Sequence, residues 1–258
     1  MFLNNVAAIA ARDFIKFLRD PTRIVASLIF PVIFVVIMGG SLDANLGEAA
    51  GYSLILFTFT GIYAQTLFQS AAIGVISLIE DRENDFSQEI FVSPASRYAI
   101  VIGKIFGETL VAMAQGIAIL LFGILVGVRY TLPQLAGLWL IGGVVCFFGG
   151  AFGIMILANM KSQRAANQVF PFIMLPQFFL SGAFTPIAVL PWYLDFLSRI
   201  SPMRYAVDIT RAVYYEGHPD ASAVVLDSFG FNLALIAAMF VVFLFAGTAI
   251  FVRSERNR

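Results

Sequence analysis

Six apolar stretches, each near the ~20 residues that cross a bilayer, dominate this chain and restrict what it can fold into. They cover 24–40, 52–79, 98–128, 134–158, 168–184 and 229–252. Backbone groups in lipid must find their partners within the segment, so the expected class is all-α. Composition agrees. Hydrophobic residues make up 60% and charged residues 12%, where a soluble domain carries about 25% charge. The zero formal net charge argues against a nucleic-acid partner. The start of the chain lacks the basic segment of a signal peptide, so the N-terminus is expected to be kept.

The expected architecture is one polytopic domain over 1–258, with six transmembrane helices, an N-terminal amphipathic interfacial helix and short re-entrant external helices between spans 5 and 6. In 4–20, Val6, Ile9, Ala10, Phe14, Phe17 and Leu18 share a face. Arg12, Asp13, Lys16, Arg19 and Asp20 fall mostly elsewhere, which predicts a helix lying on the membrane. Pro21 redirects the chain, and Pro31 is placed to kink span 1. Residues 41–51 read as a connection. Gly103 with Gly107, and Gly123 with Gly127, have a spacing that permits close helix contact. Pro171 and Pro176 argue against a regular helix throughout span 5.

Two interruptions stand out. Glu80–Arg97 reads E-D-R-E-N-D-F-S-Q-E-I-F-V-S-P-A-S-R. Glu80, Asp81, Glu83, Asp85 and Glu89 share it with Arg82 and Arg97. Phe86, Ile90 and Phe91 recur at roughly helical spacing, and Pro94 is expected to end the helix. Such an element is either a docking helix for a soluble partner or a solvated loop.

The second interruption, 185–229, has apolar pieces too short to span. Its charges recur at helical spacing, with i,i+4 pairs at Asp195–Arg199 and Arg204–Asp208. Trp192 and Tyr193 suit a membrane interface. The pattern predicts two short helices broken near Ser201 and Pro202, dipping into the outer leaflet. Arg204 and Asp208 would hold the second helix, with Arg211 one turn further on.

Charge sets the expected orientation. An even number of spans puts both termini on one side. With the termini in the cytoplasm, most Lys and Arg residues fall inside, and Arg129, Arg199, Arg204 and Arg211 fall outside. Glu80–Arg97 and 159–167 are then cytoplasmic, and 185–229 is external.

Catalytic patterns are missing from the sequence. Gly103-Lys104 is followed by Ile105, and position 98 is Tyr, so the phosphate-binding loop pattern fails. His218 sits in a loop, and Cys146 in an apolar run reads as a small core residue. No self-contained enzyme is expected. Glu108 is an acid well inside an apolar run, a functional candidate by position. Lys104 lies four residues before it, so the two read as an ion pair at the inner boundary or as part of a proton relay.

The layout resembles the ABC-2 type permease family, the membrane component of bacterial ABC exporters, over essentially the whole chain. Glu80–Arg97 is similar to that family's cytoplasmic acidic segment ending in S/A-P-x-S-R. L-S-G-A-F-T-P-I-A-V-L-P-W-Y-L-D-F-L-S-R-I-S-P-M-R-Y-A-V-D-I-T-R at Leu180–Arg211 is similar to its hallmark, with Pro186, Pro191, Pro202, Tyr205 and Arg211 at family-like spacing.

The resemblance implies a dimer of permeases, as a homodimer or with a close relative, carrying two ATP-binding subunits in a bacterial plasma (inner) membrane. ATP and Mg would bind the partner subunit, and this chain would hold no cofactor. Glu80, Asp81, Arg82, Glu83, Phe86, Glu89, Phe91 and Arg97 would couple to the ATPase, with the N-terminal helix as a second contact. Pro186, Pro191, Trp192, Pro202, Arg204, Tyr205, Asp208 and Arg211 would form an external gate. The expected function is ATP-driven export of an amphiphilic, lipid-like or glycan substrate. The competing class is a secondary transporter or channel subunit, which usually shows inverted repeats and polar groups at mid-membrane.

Overall fold

The computed structural model describes residues 2–83, 97–158, 160 and 162–256. The regular elements among them are helices. Five are long and apolar enough to cross a membrane: Pro21–Ala50, Leu54–Asp81, Tyr98–Leu125, Leu132–Leu157 and Ala221–Arg253. This is a multi-pass helical membrane protein.

Helix α1 (Phe2–Leu18) precedes α2 (Pro21–Ile33), which starts where the Asp20 carboxylate accepts the Arg23 N–H at 2.9 Å. Pro21 fits the first helical turn, where its missing N–H is no loss. Past Pro31 the chain winds as a wider π-helical stretch over Phe34–Gly39 and continues as α3 (Gly40–Ala50). The 41–51 connection is therefore helical, and span 1 runs longer than its sequence limits. Gly51 ends it with a positive φ, and Asp43 on α3 accepts the Leu54 N–H at 2.7 Å, capping the next helix.

Helix α4 (Leu54–Gly74) is the centre of the fold, buried along nearly its whole length. A short break at Val75 and Ile76 leads into α5 (Ser77–Glu83). Then come α6 (Arg97–Leu125), α7 (Leu132–Leu157) and α8 (Gln163–Leu180). A turn at Ile187–Val189 precedes α9 (Trp192–Ile200) and α10 (Pro202–Tyr214). The chain closes with α11 (Ala221–Val224) and α12 (Phe229–Arg256).

The fifth expected span, 168–184, corresponds to α8, an 18-residue helix that is not among those five. Gln163, Arg164, Asn167 and Gln168 in its first turns keep it less apolar than the other five. It runs continuously past Pro171 and Pro176, contrary to the expectation drawn from those prolines. A proline inside a membrane helix is tolerated where neighbouring groups take over the freed carbonyls.

Lipid offers apolar side chains no advantage in leaving it for one another, so helices associate here by close packing. Added Cβ atoms on Gly149 and Gly153 of α7 would run into the backbone carbonyls of Phe68 and Ala72 on α4. Gly103 and Gly107 do the same for α1: a Cβ on Gly103 would lie 3.0 Å from Ile9 Cβ, and one on Gly107 3.2 Å from Ala10 Cα. Outward, α2 and α12 present Val25, Ile29, Ile33, Val242 and Phe245, as lipid-facing surfaces do.

Candidate functional site

Polar and charged side chains gather at both ends of α4. At its C-terminal end, α1, α5 and α6 meet. Lys104 on α6 is buried, and its Nζ lies 2.8 Å from Asp13 Oδ2 and 3.4 Å from Asp81 Oδ2. Arg12 donates to Asp81 Oδ2 at 2.6 Å and to Asp13 Oδ1 at 2.9 Å. Two cations thus face two carboxylates. Partial burial would lower the Arg12 pKa, but the charges of Asp13 and Asp81 outweigh it and hold the guanidinium above its usual value. A paired network of this kind offsets desolvation only while every member is present.

Two sequence expectations change here. Asp13, assigned to the polar side of α1, is buried on the same face as Val6, Ala10 and Phe17. That face is the one seated on Gly103 and Gly107, so Asp13 is carried to Lys104. The expected Lys104–Glu108 pair is replaced, because Lys104 is drawn to the two aspartates on α1 and α5. Glu108 instead lies against Gly74, in the space a side chain there would fill. Its Oε1 accepts from Ser77 Oγ at 3.1 Å, and its Oε2 lies 3.7 Å from Arg23 Nη2.

Of the proposed coupling residues, Glu80 and Asp81 lie on α5, both half-buried. Arg82 and Glu83 continue that helix and Arg97 opens α6. Phe86, Glu89 and Phe91 lie outside the described residues.

At the N-terminal end of α4, α10 is buried from Pro202 to Arg211. Pro202 occupies its first turn, and the break between α9 and α10 falls at Ser201. Arg204 Nη1 donates to Asp195 Oδ1 and to Ser198 Oγ, both at 3.1 Å, and Nη2 lies 3.8 Å from Asp227 Oδ2. Asp195 also pairs with Arg199 at 2.9 Å. Tyr205 donates its hydroxyl to the Arg199 carbonyl at 2.7 Å.

The expected Arg204–Asp208 pair is absent. Asp208 turns to the following segment and accepts from Leu226 N at 2.8 Å, Asp227 N at 2.9 Å and Asn232 Nδ2 at 2.7 Å. The reason is burial: on a buried helix, unpaired backbone N–H groups compete successfully for a carboxylate that i,i+4 spacing alone assigns to Arg204.

Arg211 Nη2 donates to the Gly182 carbonyl at 2.8 Å and the Phe57 carbonyl at 3.1 Å, and the guanidinium carbon lies 3.6 Å from the Phe57 ring centroid. Burial pushes its pKa down to about 10, against the raising effect of Asp208, so it stays charged at neutral pH. It fastens α10 to α4 and to the turn after α8. Pro186 and Pro191 bracket the short turn before α9, and Trp192 and Tyr193 are exposed at its start. Asn232, which the sequence reading passes over, is a lone polar residue near the start of the last apolar run, and that position is the signal that marks it. Ser77, Arg23 and Ser198 carry no comparable signal.

Comparison with known proteins places this architecture. Residues 4–215 match the ABC-2 type transporter family model. A transport permease named ycf38 from Cyanophora paradoxa is 23% identical, with 97% of this chain and 88% of that protein aligned. The inner membrane transport permease YadH of Escherichia coli (strain K12) is 24% identical, with 91% of each chain aligned. YbhR of the same organism, named a probable multidrug ABC transporter permease, is 32% identical over 54% of this chain and 38% of its own length. This chain belongs to the ABC-2 type transporter family and is a membrane permease of an ABC transporter.

Proposed function

We propose that this permease exports an amphiphilic, lipid-like or glycan substrate, driven by ATP hydrolysis on a partner subunit. Two permeases, identical or closely related, carry two ATP-binding subunits on the cytoplasmic side of a bacterial plasma membrane. Both termini face the cytoplasm. ATP and Mg belong to the partner. Glu80–Arg97 is the coupling segment, and α1 is the second contact. The residues 185–229 face outward, with α9 and α10 closing the exit path.

One observation carries this reading: Arg12 on α1 binds Asp81 on α5 at 2.6 Å while Lys104 on α6 holds both helices. A push received by the segment after α5 is passed to α1 and α6 together, because the buried charges cannot separate without leaving one unpaired. Two elements expected to touch the ATPase thereby move as one body with a membrane helix. The name of the relative YbhR, a probable multidrug ABC transporter permease, supports an amphiphilic substrate.

The test is reconstitution with the ATP-binding subunit and measurement of amphiphile movement into inside-out vesicles. Movement should require ATP hydrolysis, and Phe86→Ala and Glu83→Lys should abolish co-purification of the ATPase. Equal movement on an ion gradient without ATP would assign the chain to secondary transport instead.

A further inference from the structure

We infer that the cleft between α2, α4 and α8 binds an amphiphile by an anionic head group, with Arg23 as its charged partner. This deepens the export reading and rests on it for the cleft's role in transport.

Two pockets share a floor on α4. One, of about 250 Å³, lies against α2 and the other, of about 160 Å³, against α8, and Gln69 and Ile73 line both. The rings of Phe30 on α2 and Phe178 on α8 approach to 6.0 Å between centroids and join the two walls. The halves differ in chemistry. Ser27, Thr66, Gln69, Ser70 and Gln115 lie along the α2 half, with Arg23 at one end. Apart from Asn167 and Gln69, the α8 half is apolar, with Ile76, Phe170, Met174 and Leu175 among its lining.

The polar side chains have unmet capacity. Gln115 is only 6% exposed, and its amide makes no hydrogen bond among the described residues. The side chains of Thr66, Gln69 and Ser70 likewise bond to none of them. Polar groups inside a membrane bundle are costly without partners. Four of them lining one pocket leave those partners to an occupant.

Charge selects the occupant. Arg23 is the one charged side chain lining either pocket. Its guanidinium donates no hydrogen bond among the described residues, and the side chain is 41% exposed. Glu108 lies outside the lining, enclosed against Gly74, and comes only to 3.7 Å from Arg23 Nη2. It steadies the arginine without taking its donors. A phosphate or carboxylate accepts two parallel N–H bonds from a guanidinium. The amide and hydroxyl donors of the same pocket are available to its remaining acceptor sites. An ammonium head group would meet a like charge, and an alcohol would forgo the charge-assisted bonds. The apolar α8 half is the track for the alkyl chain.

The experiment uses the purified permease in phosphatidylcholine nanodiscs, without ATPase, titrated with dodecyl phosphate, dodecanol and dodecylamine, with binding to protein-free discs subtracted. Dodecyl phosphate should bind at least tenfold more tightly than either of the others, and at least tenfold more tightly than inorganic phosphate. Arg23→Gln should remove the preference, and Arg23→Lys should restore part of it. Arg19→Gln, which removes an exposed cation outside the cleft, should leave it unchanged. Gln115→Leu, which keeps Arg23, should weaken dodecyl phosphate at least threefold and decides the matter if Arg23→Gln does not fold. Equal binding of the three amphiphiles to the wild type overturns the proposal, as does undiminished dodecyl phosphate binding in both Arg23→Gln and Gln115→Leu. Equal losses in Arg19→Gln and Arg23→Gln would mark a surface-charge effect and overturn it too. Inorganic phosphate binding as tightly as dodecyl phosphate would overturn the amphiphile assignment. If the three amphiphiles bind equally while the full complex exports amphiphiles on ATP, the cleft assignment fails and export stands. If dodecyl phosphate binds as expected but ATP drives no movement, export fails and the cleft stands.

Discussion

Lys104 Nζ lies 2.8 Å from Asp13 Oδ2, and both side chains are buried between the N-terminal helix and α6. The two residues are far apart in sequence, and the contact depends on Gly103 and Gly107 letting α1 settle onto α6. Asp81 Oδ2, at 3.4 Å from the same ammonium, adds α5.

Lys104→Met should therefore cost about 3 kcal/mol of stability, because it leaves two carboxylates facing one arginine. Thermal unfolding of the protein in detergent measures this. Adding Asp13→Asn should recover part of the loss, since the most buried unpaired charge is then gone. If the double variant is no more stable than Lys104→Met alone, the contact is incidental.

How far the sequence anticipated this structure depends on the range of each interaction. Five of the six expected spans, and the helix break at Ser201 before Pro202, follow from local properties, hydropathy and the conformational limits of proline. The Asp195–Arg199 pair, one turn apart, was equally legible. Lys104–Glu108 and Arg204–Asp208 have the same spacing, yet neither pair forms. Once a helix is buried, carboxylates and cations answer to whatever the tertiary fold brings near, here Asp13, Asp81, Asp195 and the Leu226 N–H. Asp13 was misplaced for a related reason. Amphipathic patterning assigns a charge to water, and a protein partner on the buried face is invisible to it.

Close packing between α4 and α7 gives a second prediction. Gly149→Ala would drive a Cβ into the Phe68 backbone carbonyl, and a backbone cannot step aside as a side-chain tip can. The expected cost is about 1–3 kcal/mol, the range for overpacking a tight contact. Gly143, on the same helix, has nothing within 4 Å of an added Cβ. Gly143→Ala should be neutral or slightly stabilising, because alanine favours a helix by up to about 1 kcal/mol over glycine. Comparing the two by thermal unfolding separates packing from helix propensity.

The proposed orientation is open to a labelling test. Cys146 is buried, and Cys146→Ala removes any background from it. Ser222, exposed on α11, should react with an impermeant thiol reagent in intact cells after Ser222→Cys. Ser162→Cys, before α8, should react only after lysis. Labelling of Ser162→Cys in intact cells reverses the orientation.

The last prediction concerns α10. Asp208 satisfies two backbone N–H groups and the Asn232 amide at once. Asp208→Ala strands these donors in a buried site, each at about 1–3 kcal/mol if unrelieved. The segment before α12 should then loosen from α10, and transport should fall if this packing closes the exit path. Asp220, near His218 at 3.4 Å and a quarter exposed, makes no comparable connection, so Asp220→Ala should transport almost as wild type. Arg204→Ala removes contacts to Asp195, Ser198 and Asp227, a different set. Combining it with Asp208→Ala should therefore bring no recovery, in contrast to what an Arg204–Asp208 pair would give. A transport assay on the four variants at matched membrane levels decides between these outcomes. Equal transport by Asp208→Ala and Asp220→Ala would reduce 185–229 to a passive linker.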